Sequence, residues 1–253
     1  DALYIIEEHP DDTFLDLESF GKPDEVVSTD DVLKNIIKDE KYQVDEESFI
    51  KARVFDMLIG DWDRHADQWK WSQFNVSKNK VVYKPIPRDR DQAFSNFDGA
   101  LFDFLKIIIP DVRKFQSYGE SNKNIKWLMT SGNKIDRAFL QESYKEDWIK
   151  QAKFIQDNIT DAVIDQAFSK LPLEIQDDTA NKIKEKLKVR RENLVDLASR
   201  YYDYLNKLVV ITGTNKDDFI EITRFDAQTK ISVYRINKNK KVLYKEYNKF
   251  GLV

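Results

Sequence analysis

The segment IGDWDRHADQWKW, Ile59–Trp71, joins the end of an apolar helical pattern to the start of an aromatic strand pattern. Before it, residues 46–59 repeat apolar side chains at helical spacing. Gly60 can adopt the left-handed backbone conformation that ends a helix. The pattern predicts a helix over 46–59, followed by a loop that carries Asp63, Arg64 and His65.

A β-hairpin is predicted after this loop, at about residues 69–86. Trp69 and Trp71 fall on one face of the first strand, and the polar run Ser77–Lys80 supplies the turn. A second acidic cluster, PRDRDQAF at residues 87–94, follows the returning strand. The hairpin is therefore expected to bring two acidic loops towards each other.

The first loop carries the candidate catalytic residues. Phosphoryl transfer needs a carboxylate that positions or deprotonates the attacking hydroxyl, and Asp63 suits that role. Arg64 could steady the loop by pairing with an acid, and His65 could pack beneath it. An ion pair between Asp63 and Arg64 that only pins the loop is an equally good interpretation.

The candidate metal ligands are Gln68, Asp89 and Asp91. Carboxylate and amide oxygens are the donors that Mg²⁺ or Mn²⁺ takes while it holds phosphate groups. Stapling of the second loop by pairing of the two aspartates with Arg88 or Arg90 is the competing interpretation.

The motif D-R-H-x-x-Q at Asp63–Gln68 resembles the D-R-H-x-x-N catalytic loop of atypical kinases, a group that includes spore-coat and secretory-pathway kinases. DRDQAF at 89–94 resembles their downstream motif D-x-G-x-(A/G)-F, except that Asp91 takes the place of the glycine. The resemblance implies a catalytic Asp63, with Gln68 and Asp89 on the metal. It covers about residues 45–205, a kinase C-lobe. No glycine-rich loop precedes Asp63, so ATP as the phosphate donor stays open.

The segments VFDMLIGDWDRHADQWKW and YKPIPRDRDQAF also resemble an uncharacterised domain of Bacteroidetes envelope proteins. There it accompanies a calcineurin-like metallophosphoesterase module. The resemblance implies that the chain is part of a longer polypeptide, in the periplasm or at the cell surface. Composition alone would also allow the cytoplasm.

Composition narrows the class of protein. Of the 253 residues, 41% are hydrophobic and 13% aromatic, which is enough for a packed core. The net charge of −4 and dispersed basic residues give no reason to expect nucleic acid as a partner. Cysteine is absent, which excludes disulfides and zinc–thiolate sites. No apolar run is long enough to predict a membrane span.

The sequence predicts an α+β fold, mainly helical: a kinase C-lobe-like domain over 1–207 with the inserted hairpin, then a small antiparallel β segment over 208–253, expected to be truncated. A short strand is predicted at Ala2–Ile6, a helix start capped by Ser28 and Asp31, a buried segment at 101–109 and one long helix over 178–206. Period-two patterns predict C-terminal strands, the first at residues 209–214.

Two functions outside phosphoryl transfer remain. A non-catalytic scaffold or interaction domain would keep the acidic motifs as structural staples. A glycosidase would use paired carboxylates at a fixed separation in a deep cleft. The tryptophans at 62, 69 and 71 could form a stacking platform, but core packing is favoured because tryptophan mostly buries its large apolar area.

Overall fold

The computed structural model describes Pro10, residues 15–122 and residues 124–250. The predicted strand Ala2–Ile6 lies outside the described residues. Helices make up 47% of the described residues and strands 22%, which confirms the α+β, mainly helical prediction. The helices are α1 (Thr29–Lys38), α2 (Glu46–Ile59), α3 (Ala100–Ile108), α4 (Ile125–Leu128), α5 (Asn133–Phe139), α6 (Lys145–Asn158), α7 (Asp161–Ser169), α8 (Asp178–Glu192) and α9 (Leu194–Leu205). The strands are β1 (Glu25–Ser28), β2 (Tyr42–Val44), β3 (Trp69–Ser77), β4 (Lys80–Pro87), β5 (Asp218–Arg224), β6 (Gln228–Asn237) and β7 (Lys240–Phe250).

The predicted hairpin is confirmed as β3 and β4, and it forms the centre of a four-stranded sheet in the order β1-β3-β4-β2. β1 pairs with β3 antiparallel, whereas β2 pairs with β4 parallel. The sequence did not predict these outer strands. With four and three residues, each is too short to display a period-two pattern.

The inner face of this sheet packs on α2 through aromatic side chains. Trp69 and Trp71 are 1% and 0% exposed. Phe49 from α2 meets the Trp69 ring edge-on with a centroid distance of 5.0 Å, and Phe139 meets Trp71 in the same way at 5.0 Å. Such edge-to-face pairs add about 0.5–1.5 kcal/mol each beyond the burial of their area. Trp62 is also buried, so core packing of all three tryptophans is confirmed.

The long helix predicted over 178–206 is interrupted. Asn193, with φ −86° and ψ 3°, separates α8 from α9. Its side-chain amide donates to the Val189 carbonyl at 3.1 Å, so it occupies a carbonyl at the end of α8. The apolar repeat continues from α8 into α9 because each helix buries an apolar face, through Leu187, Leu194 and Leu197. The repeat alone therefore did not reveal the interruption.

The C-terminal region forms the predicted antiparallel sheet, in the order β5-β6-β7. The prediction of a strand at residues 209–214 was wrong: this segment has no strand structure. At its end the Thr214 amide donates to the Asp218 carboxylate, and the next residue, Asn215, donates its amide to the Ile37 carbonyl of α1 at 2.6 Å. These contacts tie the connection to α1 and to β5, outside any ladder. The proposed boundary at residue 207 stays a prediction.

The apolar segment at 101–109 was predicted to be buried, and this was wrong. It forms α3, whose Leu101, Phe104 and Ile107 side chains are 69%, 58% and 74% exposed. An apolar composition predicts burial only if another element covers the helix, and the described residues leave this face open. Among the described helices, none has the length and apolarity needed to cross a bilayer.

Candidate functional site

The two acidic loops meet through Arg64. Its Nη1 donates to the carbonyl of Arg88 at 2.6 Å, and its Nη2 donates to the carbonyl of Gln68 at 3.2 Å. The guanidinium also lies over the Trp69 ring, 4.5 Å from its centroid. Arg64 is therefore a clamp that holds the loop after α2 against the loop after β4, and its planar fork of donors suits several carbonyls at once.

A buried carboxylate, Asp56 of α2, anchors this clamp from below. Its Oδ2 lies 3.3 Å from Arg64 Nε and accepts from Arg53 Nη1 at 2.9 Å. Its Oδ1 accepts from Arg90 Nη2 at 2.9 Å. Arg53, Arg64 and Asp56 are at most 1% exposed. A single carboxylate therefore joins three guanidinium groups from α2 and from both loops.

Two further aspartates balance the three arginines. Asp136 of α5 accepts from Arg53 in a bidentate pair, at 2.8 and 2.9 Å. Asp61 lies 3.4 Å from Arg64 Nη1 and also accepts the Asp63 amide at 3.1 Å. The Tyr201 hydroxyl of α9 donates to Asp136. The network thus holds three positive and three negative side chains, as buried charges require.

Burial dominates the pKa shifts in this network. It raises the pKa of Asp61 to about 6, against the attraction of Arg64. It also raises the pKa of Asp136 and lowers that of Arg64. For Arg53, burial disfavours the charged form, but the combined interactions with Asp136, Tyr201 and Asp56 outweigh it and the pKa is raised. At neutral pH Asp61 is mostly ionised and helps to hold Arg64.

Gln68 and Asp89, two predicted metal ligands, are brought together. Gln68 Nε2 donates to Asp89 Oδ2 at 3.0 Å, at a position open to solvent. Asp89 has φ +50°, in the left-handed region that aspartate and asparagine tolerate better than most residues. Its carbonyl lies 3.4 Å from Arg64 Nη1. The clamp thus fixes the backbone on which this carboxylate sits.

Asp63 and His65, predicted to be catalytic, lie side by side at the surface. The Asp63 carboxylate is 27% exposed, and its Oδ2 lies 3.9 Å from His65 Nε2. His65 is 44% exposed, so the prediction that it packs beneath the loop was wrong. Its Nδ1 accepts the Asp67 amide at 3.3 Å and caps the short turn Ala66–Gln68. Because this bond occupies Nδ1 as an acceptor, the ring's proton lies on Nε2, towards Asp63.

The remaining two predicted residues lie apart from this pair. Asp91 is exposed, and its carboxylate accepts from the neighbouring Gln92 at 2.9 Å. Arg64, predicted to be catalytic, is 1% exposed and all its described contacts are with protein groups. Arg64 lies buried beneath the two loops and holds their backbone in position.

Arg53, Asp56, Asp61 and Asp136 were not predicted from the sequence as members of the site. Asp56 and Arg53 sit three residues apart in α2, on one face of the helix, and this spacing is the one available signal. Their pairing with Asp136, 83 residues away, has no local signature. A charged pair amid apolar helix positions would have suggested a buried partner elsewhere.

The donors present fit a hard divalent cation in type. Asp89 carries a carboxylate, whose Oδ2 accepts from Gln68 Nε2, and Gln68 offers Oε1 once its amide turns so that oxygen rather than nitrogen faces the carboxylate. Among the described residues, no group of three or more histidine, aspartate or glutamate side chains could hold a metal ion. A cation here would draw its other ligands from water and phosphate, as Mg²⁺ commonly does.

The site is partly open to solvent, since the Asp63 side chain is 27% exposed and Asp89 is an exposed residue. Two large cavities, of about 750 and 820 Å³, are lined by residues other than Asp63, Gln68 and Asp89. The first lies along α2 and α6, and the second lies along α7 and α8. Comparisons of the chain with protein families, curated proteins and solved structures found no match.

Proposed function

We propose that this chain is a divergent kinase-like module that binds a divalent cation, Mg²⁺ or Mn²⁺, together with a phosphate-bearing ligand. One observation supports this best: Arg64 clamps two distant loops so that Gln68 and Asp89 meet at 3.0 Å with their side chains open to water. A purely structural staple would not need solvent-facing oxygen donors on both loops. The order helix, D-R-H loop, hairpin, acidic loop agrees with a kinase C-lobe.

In this proposal the protein's own groups divide the work. Gln68 and Asp89 hold the cation, which neutralises charge on the phosphate groups. Asp63 positions the attacking hydroxyl or takes its proton, and it is partly exposed as this role requires. His65 Nε2 at 3.9 Å steadies the Asp63 carboxylate. Asp91, on the second loop, is an auxiliary ligand of the cation. Arg64 holds the two loops in position relative to each other.

Thermal unfolding with and without Mn²⁺ and ATP tests the proposal. A ligand that binds only the folded state at a hundred times its dissociation constant stabilises by about 2.7 kcal/mol. For a chain of this size that is equivalent to an increase of roughly 5–10 °C in melting temperature. We expect the increase for wild type and its loss in Asp89→Asn, because asparagine keeps the left-handed backbone but removes the charge.

Asp98→Asn is the matched control, since Asp98 is an exposed acid outside the two motifs. It should respond like wild type. If Mn²⁺ alone raises the melting temperature and ATP adds no further increase, the cation site is supported and ATP is rejected as the ligand. Equal responses of Asp89→Asn and wild type would reject the site.

A second candidate is a non-catalytic interaction domain of a bacterial envelope protein, for which the exposed apolar face of α3 is the specific observation. Exposed apolar patches commonly mark contact surfaces. The occupant in this case is the rest of a longer parent polypeptide. Amide hydrogen exchange tests this second candidate. The amides of α3 should be protected in the longer polypeptide and should exchange fast in the 253-residue chain. Equal exchange in both would reject it.

A further inference from the structure

A second site is formed by the cavity of about 820 Å³ between α7, α8 and the end of α2. Its walls are almost entirely apolar, with Val163, Phe168 and Ile183 on the helices and Leu58 and Phe94 at its base. Val163 is 45% exposed although it faces this apolar space. Cavities of about 300–1,000 Å³ with apolar walls and few polar groups are typical of small-molecule sites.

The two charged side chains that line the cavity, Asp177 and Arg90, differ in the hydrogen bonds that they already make. Asp177 accepts hydrogen bonds from the amides of Thr179 and Ala180 at 2.8 and 3.0 Å. Its negative charge is therefore already stabilised by the N-terminus of α8. Arg90 lies at the other side with 28% of its side chain exposed. Its carboxylate partner, Asp56, is shared with Arg53 and Arg64. Arg90 Nε and Nη2 both donate to Asp56 Oδ1, and among the described residues none accepts from Nη1, so this nitrogen can donate to an anionic group in the cavity.

We propose that this cavity binds an amphiphile with one aliphatic chain and an anionic head group, with the chain between α7 and α8 and the head group at Arg90. The apolar walls favour the chain by removing it from water, at about 0.8 kcal/mol per buried methylene. The guanidinium of Arg90 distinguishes an anionic head group from a neutral or cationic one. Phe55 lies under Arg90, 4.9 Å from its guanidinium carbon, and it lines the cavity together with Arg90.

The site is independent of the proposed cation site, although one segment links them. Arg90 and Phe94 belong to the loop that carries Asp89 and Asp91. A ligand in the cavity would contact that loop at Arg90 and Phe94, whereas the Arg64 clamp holds it at the Arg88 carbonyl. Binding here requires neither Mn²⁺ nor ATP, so failure of one proposal leaves the other standing.

Displacement of a fluorescent fatty acid, 11-(dansylamino)undecanoic acid, tests the proposal with wild-type protein. Dodecanoate should displace the probe with an affinity about tenfold or more above that of dodecanol or dodecyltrimethylammonium, equivalent to one charge-assisted contact. Equal displacement by the acid and the alcohol would overturn the role of Arg90 and the proposal with it. Absence of probe binding would overturn it as well.

Ala167→Trp fills the cavity from an exposed position of α7, and Ala162→Trp places the same side chain at an exposed position that does not line it. We expect the first variant to weaken the probe by about tenfold or more and the second to leave it within about twofold. Melting temperatures within a few degrees would confirm that both are folded. Similar affinities in the two variants would place the ligand elsewhere.

Discussion

Single residues in the core determine where the surface loops lie. Arg64 contributes no exposed group, yet it carries the backbone of both acidic loops. Its charge is tolerated because Asp56 and Asp61 lie within 3.4 Å of it. Removing one partner of such a buried network costs about 3–5 kcal/mol, because a charge is left uncompensated. Position and stability are therefore coupled in this site.

The space that Arg53 needs is provided by a glycine. A Cβ atom on Gly132 would lie 2.3 Å from Arg53 Nη2 and 3.1 Å from the Arg64 carbonyl. We expect Gly132→Ala to lower the free energy of unfolding by about 2–4 kcal/mol, since the buried arginine cannot move without losing its aspartates. Urea denaturation measures the change. Gly119→Ala is the control, because its nearest contact would be an ordinary 3.6 Å. Equal stabilities of the two variants would contradict this account.

The exposed members of the site were predictable and the buried ones were not. Asp63, Gln68 and Asp89 stood out because a short motif and a hairpin fix their separation along the chain. Asp56, Asp61 and Asp136 depend on contacts between α2 and α5 that no local pattern encodes. Arg64 was predicted to be catalytic but holds the two loops together for the same reason. Its hydrogen-bond partners depend on tertiary packing, which the sequence around it does not encode.

At the level of elements, local signals predicted starts and ends well. The predicted α2 matches its observed bounds, Glu46–Ile59, with Gly60 at φ +73° after it. β1 and β2 were missed because their structure comes from pairing with the hairpin, and α3 was misjudged because burial depends on a covering partner. Patterns report local preference, and tertiary contacts decided these three cases.

The start of α1 tests one such local signal. Ser28 Oγ accepts the Asp31 amide at 3.2 Å, as the capping-box spacing predicted, although the hydroxyl also donates to the Asp31 carboxylate. Ser28→Ala should cost about 1 kcal/mol by leaving an amide of the first turn without its cap. Ser28→Thr keeps the hydroxyl and should stay near wild type. Chemical denaturation of both variants checks this, and an unchanged Ser28→Ala would contradict the cap.

Across the whole molecule, ionisable groups also join the C-terminal sheet to the helical part. Glu46 accepts the Glu142 amide at 3.1 Å, Lys245 lies 3.2 Å from Glu142, and Lys249 donates to the Ser143 carbonyl at 3.0 Å. Burial raises the pKa of Glu46 from 4.5 to about 8, against the hydrogen bond from the Glu142 amide and the charges of Lys245 and Lys249, whereas the charge of the Glu142 carboxylate adds to the increase. This junction should therefore respond to pH.

The direction in which stability changes with pH follows from the number of protons bound in the folded and unfolded states. Between pH 4.5 and 8 the folded state keeps a proton on Glu46 that the unfolded state loses, so stability falls as pH rises through this range. A pKa difference of one is equivalent to about 1.4 kcal/mol, and we expect a loss of about 2 kcal/mol between about pH 6.5 and 8.5. Asp61 adds a loss in the same direction, but it is complete near pH 6.

Glu46→Gln should remove this dependence, because glutamine keeps the acceptor without a proton to lose. Glu47→Gln is the control, since Glu47 is exposed and hydrogen bonding to Lys150 lowers its pKa. Melting temperatures across the same pH range should fall for wild type and Glu47→Gln and stay level for Glu46→Gln. Parallel curves for all three proteins would refute the assignment.

Gln68 and Asp89 are proposed to form a cation site on loops that Arg64 clamps. Electron paramagnetic resonance of free Mn²⁺ during titration tests it most directly, because bound Mn²⁺ loses the sharp signal. Wild type should bind Mn²⁺, and Asp89→Asn should bind it about tenfold more weakly or worse, as loss of a charged ligand predicts. Asp98→Asn should match wild type. If Asp89→Asn titrates like wild type, or if wild type leaves all Mn²⁺ free, the claim is wrong.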